Sequence, residues 1–171
     1  INPFFKEYKE AIEIGKHILK RFSYNITETT QQKVAIPPFW IDMPKLFELY
    51  VYKRLQEQFG REAVTYHLTA DYTELDFLLN TPDYKMVIDA KYKTIYEDSR
   101  AIDDIRQVSG YARLKVVYNK LKIEEDRLID CLIIYPTLEQ NADFNITDKK
   151  EIPEYKGIYK LSISVPLVNS S

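Results

Sequence analysis

Three side chains in the stretch TELDFLLNTPDYKMVIDAKYK, residues 73–93, go beyond what a plain strand pattern needs: Asp76, Asp89 and Lys91. Successive strand residues face opposite sides of a sheet, so Val87, Asp89, Lys91 and Lys93 share one face and Met86, Ile88, Ala90 and Tyr92 the other. The same alternation groups Glu74, Asp76 and Leu78 opposite Leu75, Phe77 and Leu79. If the turn formers at 80–83 pair the two runs as a hairpin, Asp76 and Asp89 come close. Carboxylates brought together repel, and burying them unpaired is expensive, so the pair needs water or a cation. A divalent ion such as Mg2+ meets that need: it takes one or two carboxylates, keeps several waters and completes its shell with a substrate phosphate. The Lys91 ammonium, two positions from Asp89, would steady charge on a reacting phosphate or orient an attacking water. The alternative is an edge strand with a surface Asp–Lys pair, and D-x-K tripeptides are common by chance.

Two helical patterns carry further polar residues at useful positions. In IDMPKLFELYVYKRLQEQFG, Asp42 is placed to cap, Pro44 falls in the first turn and Gly60 closes the C-terminal side, which predicts a helix over 43–59. Glu48 is in register with Val51, Tyr52, Leu55 and Phe59, so it either lies at the edge of that apolar stripe in water or points inward at a positive group. In DDIRQVSGYARL, Asp104, Gln107 and Tyr111 share one face; Gln107 and Tyr111 can touch the same ligand or hydrogen-bond each other.

Stepping outward, residues 3–22 have the apolar spacing of an amphipathic helix, and 23–39 lack a sustained period and read as a loop. Strands are expected near 63–69, 73–80 and 85–92, as a meander. A long helix follows over about 100–119, then RLIDCLIIYP as a buried central strand and GIYKLSISVPL as a terminal one. The order from residue 43 is α-β-β-β-α-β plus that last strand, which packs as a mixed sheet with helices on its faces.

With 171 residues and a hydrophobic fraction of 45%, the chain fits one domain, divided into 1–22 helix, 23–39 loop, 40–136 core and 137–171 polar loop and terminal strand. No apolar run approaches the roughly 20 residues that cross a bilayer, and the charged amphipathic N-terminus is not a secretory signal. The single cysteine, Cys131, allows no disulfide framework and no zinc cluster, so an intracellular, cytoplasmic protein is expected. A net charge of −2 gives no overall pull toward a polyanion. The basic run RLKVVYNKLK at 113–122 reads first as a solvated helix face.

Four blocks taken together resemble the PD-(D/E)XK nuclease superfamily and, within it, the McrC family, the nuclease subunit of McrBC-type modification-dependent restriction systems. They are WIDMPKLFELYVYKRL at 40–55, ELDFLL at 74–79, VIDAKYK at 87–93 and DDIRQVSGYARL at 103–114. The superfamily core has the α-β-β-β-α-β order reached above. The resemblance puts Asp76 and Asp89 at the two metal-binding acids, with the Ala90 carbonyl as a further ligand, Lys91 at the motif lysine and Glu48 at the acid of the first core helix. Gln107 and Tyr111 match the Q-x-x-x-Y element. Leu75 stands where the motif can have proline, and Pro82-Asp83 lies in a turn, so Asp76 is the preferred first acid.

The resemblance implies hydrolysis of DNA phosphodiester bonds with Mg2+, for which Mn2+ is expected to substitute, under control of an AAA+ GTPase subunit of McrB type. Lys93, Arg106, Arg113 and Lys115 are the candidates for DNA backbone contacts, and double-strand cleavage implies a transient dimer. McrC-like proteins engage the GTPase through an N-terminal region, and the chain is expected to begin after it. The competing expectations are a non-catalytic module of the same fold that docks an NTPase or nucleic acid, and a RecB-like repair exonuclease domain.

Overall fold

The computed structural model describes residues 41–70, 73–93, 98–137, 139 and 143–165. The helix expected over 1–22 and the loop over 23–39 lie outside the described residues.

Helix α1 spans Met43–Phe59, with the expected signals at both ends. Asp42 accepts a hydrogen bond from the Lys45 N–H at 2.9 Å, which satisfies one of the orphan donors of the first turn, and Pro44 sits where its missing N–H costs nothing. Gly60 follows with φ of 84°, a backbone region open to glycine, and its N–H bonds back to the Gln56 carbonyl. Phe47, Val51 and Leu55, at steps of four, are the side chains that α1 buries.

Strands β1 (Val64–Ala70), β2 (Thr73–Asn80) and β3 (Lys85–Ala90) form an antiparallel meander. Strand β4 (Asp130–Thr137) runs parallel to β3, and β6 (Ile158–Ser164) runs parallel to β4. A short edge strand, β5 (Lys150–Glu151), completes a six-stranded mixed sheet in the order β1-β2-β3-β4-β6-β5. Helices α2 (Asp98–Tyr111) and α3 (Lys115–Leu121) make up the other helical layer.

The sheet separates two apolar cores. Phe47, Val51 and Leu55 of α1 meet Phe77, Leu79, Met86, Ile88, Leu132 and Ile134. Ile105 and Val108 of α2 and Val117 and Leu121 of α3 meet Val87, Cys131 and Ile133 on the opposite side. Strand β4 contributes to both, which is why its sequence is continuously apolar and not alternating.

Two expectations need correction. The helix expected over 100–119 is two helices, because the N–H groups of Arg113 and Leu114 bond three residues back, to Gly110 and Tyr111, and Leu114 then turns extended before α3 begins. Leu75 does not share a face with Phe77 and Leu79: it joins the core beneath α2, while they join the core beneath α1. The alternation breaks opposite His67, a β1 residue whose φ of 52° is left-handed. Among the described residues, no helix is long and apolar enough to cross a membrane.

Candidate active site

Strand register brings the two acids together. The β2–β3 ladder pairs Leu78 with Val87 and Phe77 with Ile88, so one further step sets Asp76 opposite Asp89. At that point Asp76 Oδ2 accepts a 2.8 Å hydrogen bond from the Ala90 N–H, which ties the β2 acid directly to the end of β3.

Asp89 is almost fully buried, with 1% exposure. Lys91 Nζ stands 2.9 Å from its Oδ2, and that ammonium also donates to Gln107 Oε1 at 2.8 Å. Gln107 in turn donates through Nε2 to the Tyr111 hydroxyl at 2.6 Å. Of the two sequence readings of Gln107 and Tyr111, the structure shows the mutual hydrogen bond, and through Gln107 the pair also holds Lys91. Asp89 Oδ2 is buried, and its partner among the described residues is this Lys91 ammonium.

The electrostatics follow from burial. Asp76 is pushed up to about 6, first by desolvation and then by the neighbouring Asp89 charge; the Ala90 N–H and Lys91 offset this only in part. Desolvation also raises Asp89, against the opposing pull of Lys91. For Lys91, burial favours the neutral amine, but Asp89, Asp76 and Asp104 more than offset it and leave the ammonium strengthened.

These groups fit a divalent cation by their chemistry. Two facing carboxylates that are both harder to ionise than usual share one adjacent ammonium, Lys91, so a further cation would offset the remaining negative charge. No group of three or more His, Cys, Asp or Glu side chains among the described residues is arranged to hold a metal by itself. One or two carboxylates suffice for Mg2+ where waters and a substrate phosphate complete the shell.

Glu48 points inward, with 15% of its side chain exposed, and lies within 3.0 Å of Lys45 Nζ and in contact with His67 Nε2. Burial would raise its pKa, but hydrogen bonds from Tyr66, His67 and Lys45 hold it below the usual range. Its charge acts on both Asp76 and Asp89.

The four basic candidates disperse. Lys93 pairs with Asp104, Nζ lying 2.7 and 2.8 Å from the two carboxylate oxygens. Arg106 is exposed and pairs with Asp103 in its own helix. Arg113 and Lys115 are exposed at the turn between α2 and α3, and the Arg113 charge acts on Cys131, near the start of β4 and away from Asp89. Pro82 and Asp83 are exposed in the β2–β3 turn.

Sequence reasoning missed two groups. Asp104, buried, accepts from the Tyr135 hydroxyl at 2.9 Å as well as from Lys93, and its place on the Gln107–Tyr111 face was the available signal. His67 bridges Glu48 and Glu74, its Nδ1 lying 2.7 Å from Glu74 Oε1. Nothing in YHLT marks it.

A mixed sheet that sets two carboxylates and a lysine at the C-terminal end of one of its parallel strands defines an α/β domain with an acid–acid–lysine site. The family model of the McrBC 5-methylcytosine restriction system component matches residues 1–136, and the chain belongs to that family, in keeping with the McrC resemblance of its four blocks. None of the curated proteins matches the chain. Among solved structures it is similar, at 17% identity and a TM-score of 0.46, to a chain of a half-complex from a tetradecameric assembly of Thermococcus gammatolerans McrB AAA+ hexamers with bound McrC. The match covers 74% of this chain and 28% of that one.

Proposed function

We propose that this chain is the DNA-cutting part of an McrC-like restriction subunit, a Mg2+-dependent deoxyribonuclease with a PD-(D/E)XK core. The observation that carries the reading is the pairing of Asp76 and Asp89 with Lys91 beside them, in a chain whose family belongs to a restriction system. The strand and helix order supports the superfamily core, with α2 and α3 together in place of its second helix.

Asp76, Asp89 and the Ala90 carbonyl would hold the ion, with Glu48 acting directly or through water. When bound, Mg2+ supplies an acidified water and neutralises charge on the phosphate. Lys91 keeps a positive charge in the site, and its ammonium positions the attacking water and stabilises the negative charge that builds on the phosphate oxygens. Gln107, fixed by Tyr111, sets where that ammonium points. Lys93, Arg106, Arg113 and Lys115 would contact the DNA backbone and position it without reading its sequence.

The family's place in McrBC systems supports an AAA+ GTPase partner of McrB type that controls cutting, and double-strand cleavage would bring two copies together transiently. The test is cleavage of modified DNA by the full chain with that partner and Mg2+, comparing wild type with Lys91→Ala. Loss of cutting with DNA retention unchanged supports the assignment; wild-type cutting by Lys91→Ala overturns it.

A further inference from the structure

Consecutive residues of a strand point to opposite faces, yet the rings of Tyr66 and His67 lie with centroids 3.9 Å apart. The cause is the backbone of His67, whose φ of 52° is left-handed and turns its side chain to the Tyr66 side. A histidine tolerates that region better than most residues, but it is still strained relative to the β region. The strain falls beside the acid pair. The β1–β2 register pairs Tyr66 with Phe77 and Leu68 with Leu75, which aligns His67 with Asp76 between them, and there the ladder is interrupted.

What the unusual backbone achieves is contact with two carboxylates. His67 Nε2 meets Glu48 Oε1 and Nδ1 lies 2.7 Å from Glu74 Oε1. Lys45 Nζ completes the group, 3.0 Å from Glu48 Oε1, 2.7 Å from the Tyr66 hydroxyl and 3.0 Å from His67 Nε2. Glu48 is thereby held by both Lys45 and His67, while Glu74, half exposed at the far side of the ring, anchors the imidazole.

We propose that His67 is a positioning residue for the metal centre: its left-handed backbone, aligned with Asp76 across the β1–β2 ladder, delivers an imidazole, braced by Glu74, that fixes the Glu48 carboxylate. This rests on the reading of that site as a metal centre. An outer partner of this kind orients an acid without touching the reacting atoms, and its loss typically weakens metal binding by about 10- to 100-fold.

The test is Mn2+ binding to the full chain, followed through the electron paramagnetic resonance signal of the free ion, so that no cleavage is needed. His67→Ala is expected to bind Mn2+ about tenfold more weakly than wild type, and His67→Gln, which keeps a donor for Glu48, to recover part of the loss. His67→Gly relieves the left-handed backbone and is expected to melt at or above the wild-type temperature while still binding weakly, a combination that a purely structural role would not give. Wild-type affinity in His67→Gly and His67→Ala, with binding lost in Asp89→Asn, overturns the role of His67 and leaves the metal centre standing. Absence of Mn2+ binding by folded wild type overturns the metal centre itself, and this inference with it.

Discussion

Asp76 Oδ2 and the Ala90 N–H are joined by a 2.8 Å hydrogen bond that fastens the acid of one strand to the end of the next. In a hairpin whose register also sets Asp76 against Asp89, this bond holds Asp76 in place while the Lys91 ammonium, 2.9 Å from Asp89 Oδ2, offsets the repulsion between the two carboxylates. Lys91, Gln107 and Tyr111 continue the network onto α2. Asp76, Asp89, Gln107 and Tyr111 sit on regular elements, which hold side chains more tightly than loops do, and Lys91 follows directly on β3.

Removing members of that network is expected to have graded effects. Asp89→Asn and Lys91→Ala abolish cutting with the fold intact, as judged by circular dichroism. Gln107→Ala leaves the ammonium in place but less directed, and is expected to lower the cleavage rate by about 10- to 100-fold, within the range for a group that orients another. Tyr111→Phe removes only the hydroxyl that fixes Gln107 and is expected to cost less. A Gln107→Ala rate equal to wild type would show that the Lys91 contact is incidental.

The Asp76 carboxyl ionises only near pH 6, well above its ordinary value. A folded-state pKa above the unfolded one means that the native protein holds the extra proton, so stability without metal is highest below about pH 4 on this group's account and falls as pH rises to about 6. Asp76→Asn removes the charge while keeping an oxygen for the Ala90 N–H. In chelator-treated protein at pH 8 it is expected to raise stability by about 1–2 kcal/mol, a site that gives up stability for function. Denaturant titrations at pH 5 and pH 8 check the sign, and a mutant less stable at pH 8 would contradict it.

Asp104 serves packing and charge together. Asp104→Ala leaves the buried Tyr135 hydroxyl without its acceptor and Lys93 without this carboxylate, at an expected cost of about 1–3 kcal/mol in urea unfolding. For scale, Leu132→Ala, which opens a cavity in the central strand, is expected to cost about 2–5 kcal/mol.

Burial pushes the Cys131 thiol up to about 12, so it is almost wholly protonated at neutral pH. Iodoacetamide at pH 8 is expected to leave the native chain unlabelled and to modify it stoichiometrically in guanidinium. Rapid native labelling would place Cys131 outside the core assigned to it.

Much of this was legible from residue types. Asp42, Pro44 and Gly60 mark α1 because capping chemistry is local, and the three-strand meander followed from turn formers and β-branched runs. Alternation grouped Lys91 and Lys93 on one face and Met86, Ile88 and Ala90 on the other; in the structure the first pair meets Gln107 and Asp104 of α2, and the second set belongs with the core beneath α1. The break at 112–114 was not legible, since the apolar face of α2 continues in phase into α3 and only the backbone bonding departs from it. Nor was the turn at His67: a positive φ in a non-glycine residue is selected by its tertiary partners, here Glu48 nineteen residues before and Glu74 across the strand turn. The inward orientation of Glu48 had the same origin, because its positive neighbours come from β1 as well as from Lys45 in its own helix.

The most direct test of the central claim is calorimetric titration of Mn2+ into the full chain and into Asp89→Asn, each with a short DNA duplex present. Binding by wild type that is lost in Asp89→Asn, with both proteins folded, is the expected result and locates the ion at the carboxylate pair. Equal binding by the two, or no heat with folded wild type, would contradict a metal-dependent site at Asp76 and Asp89.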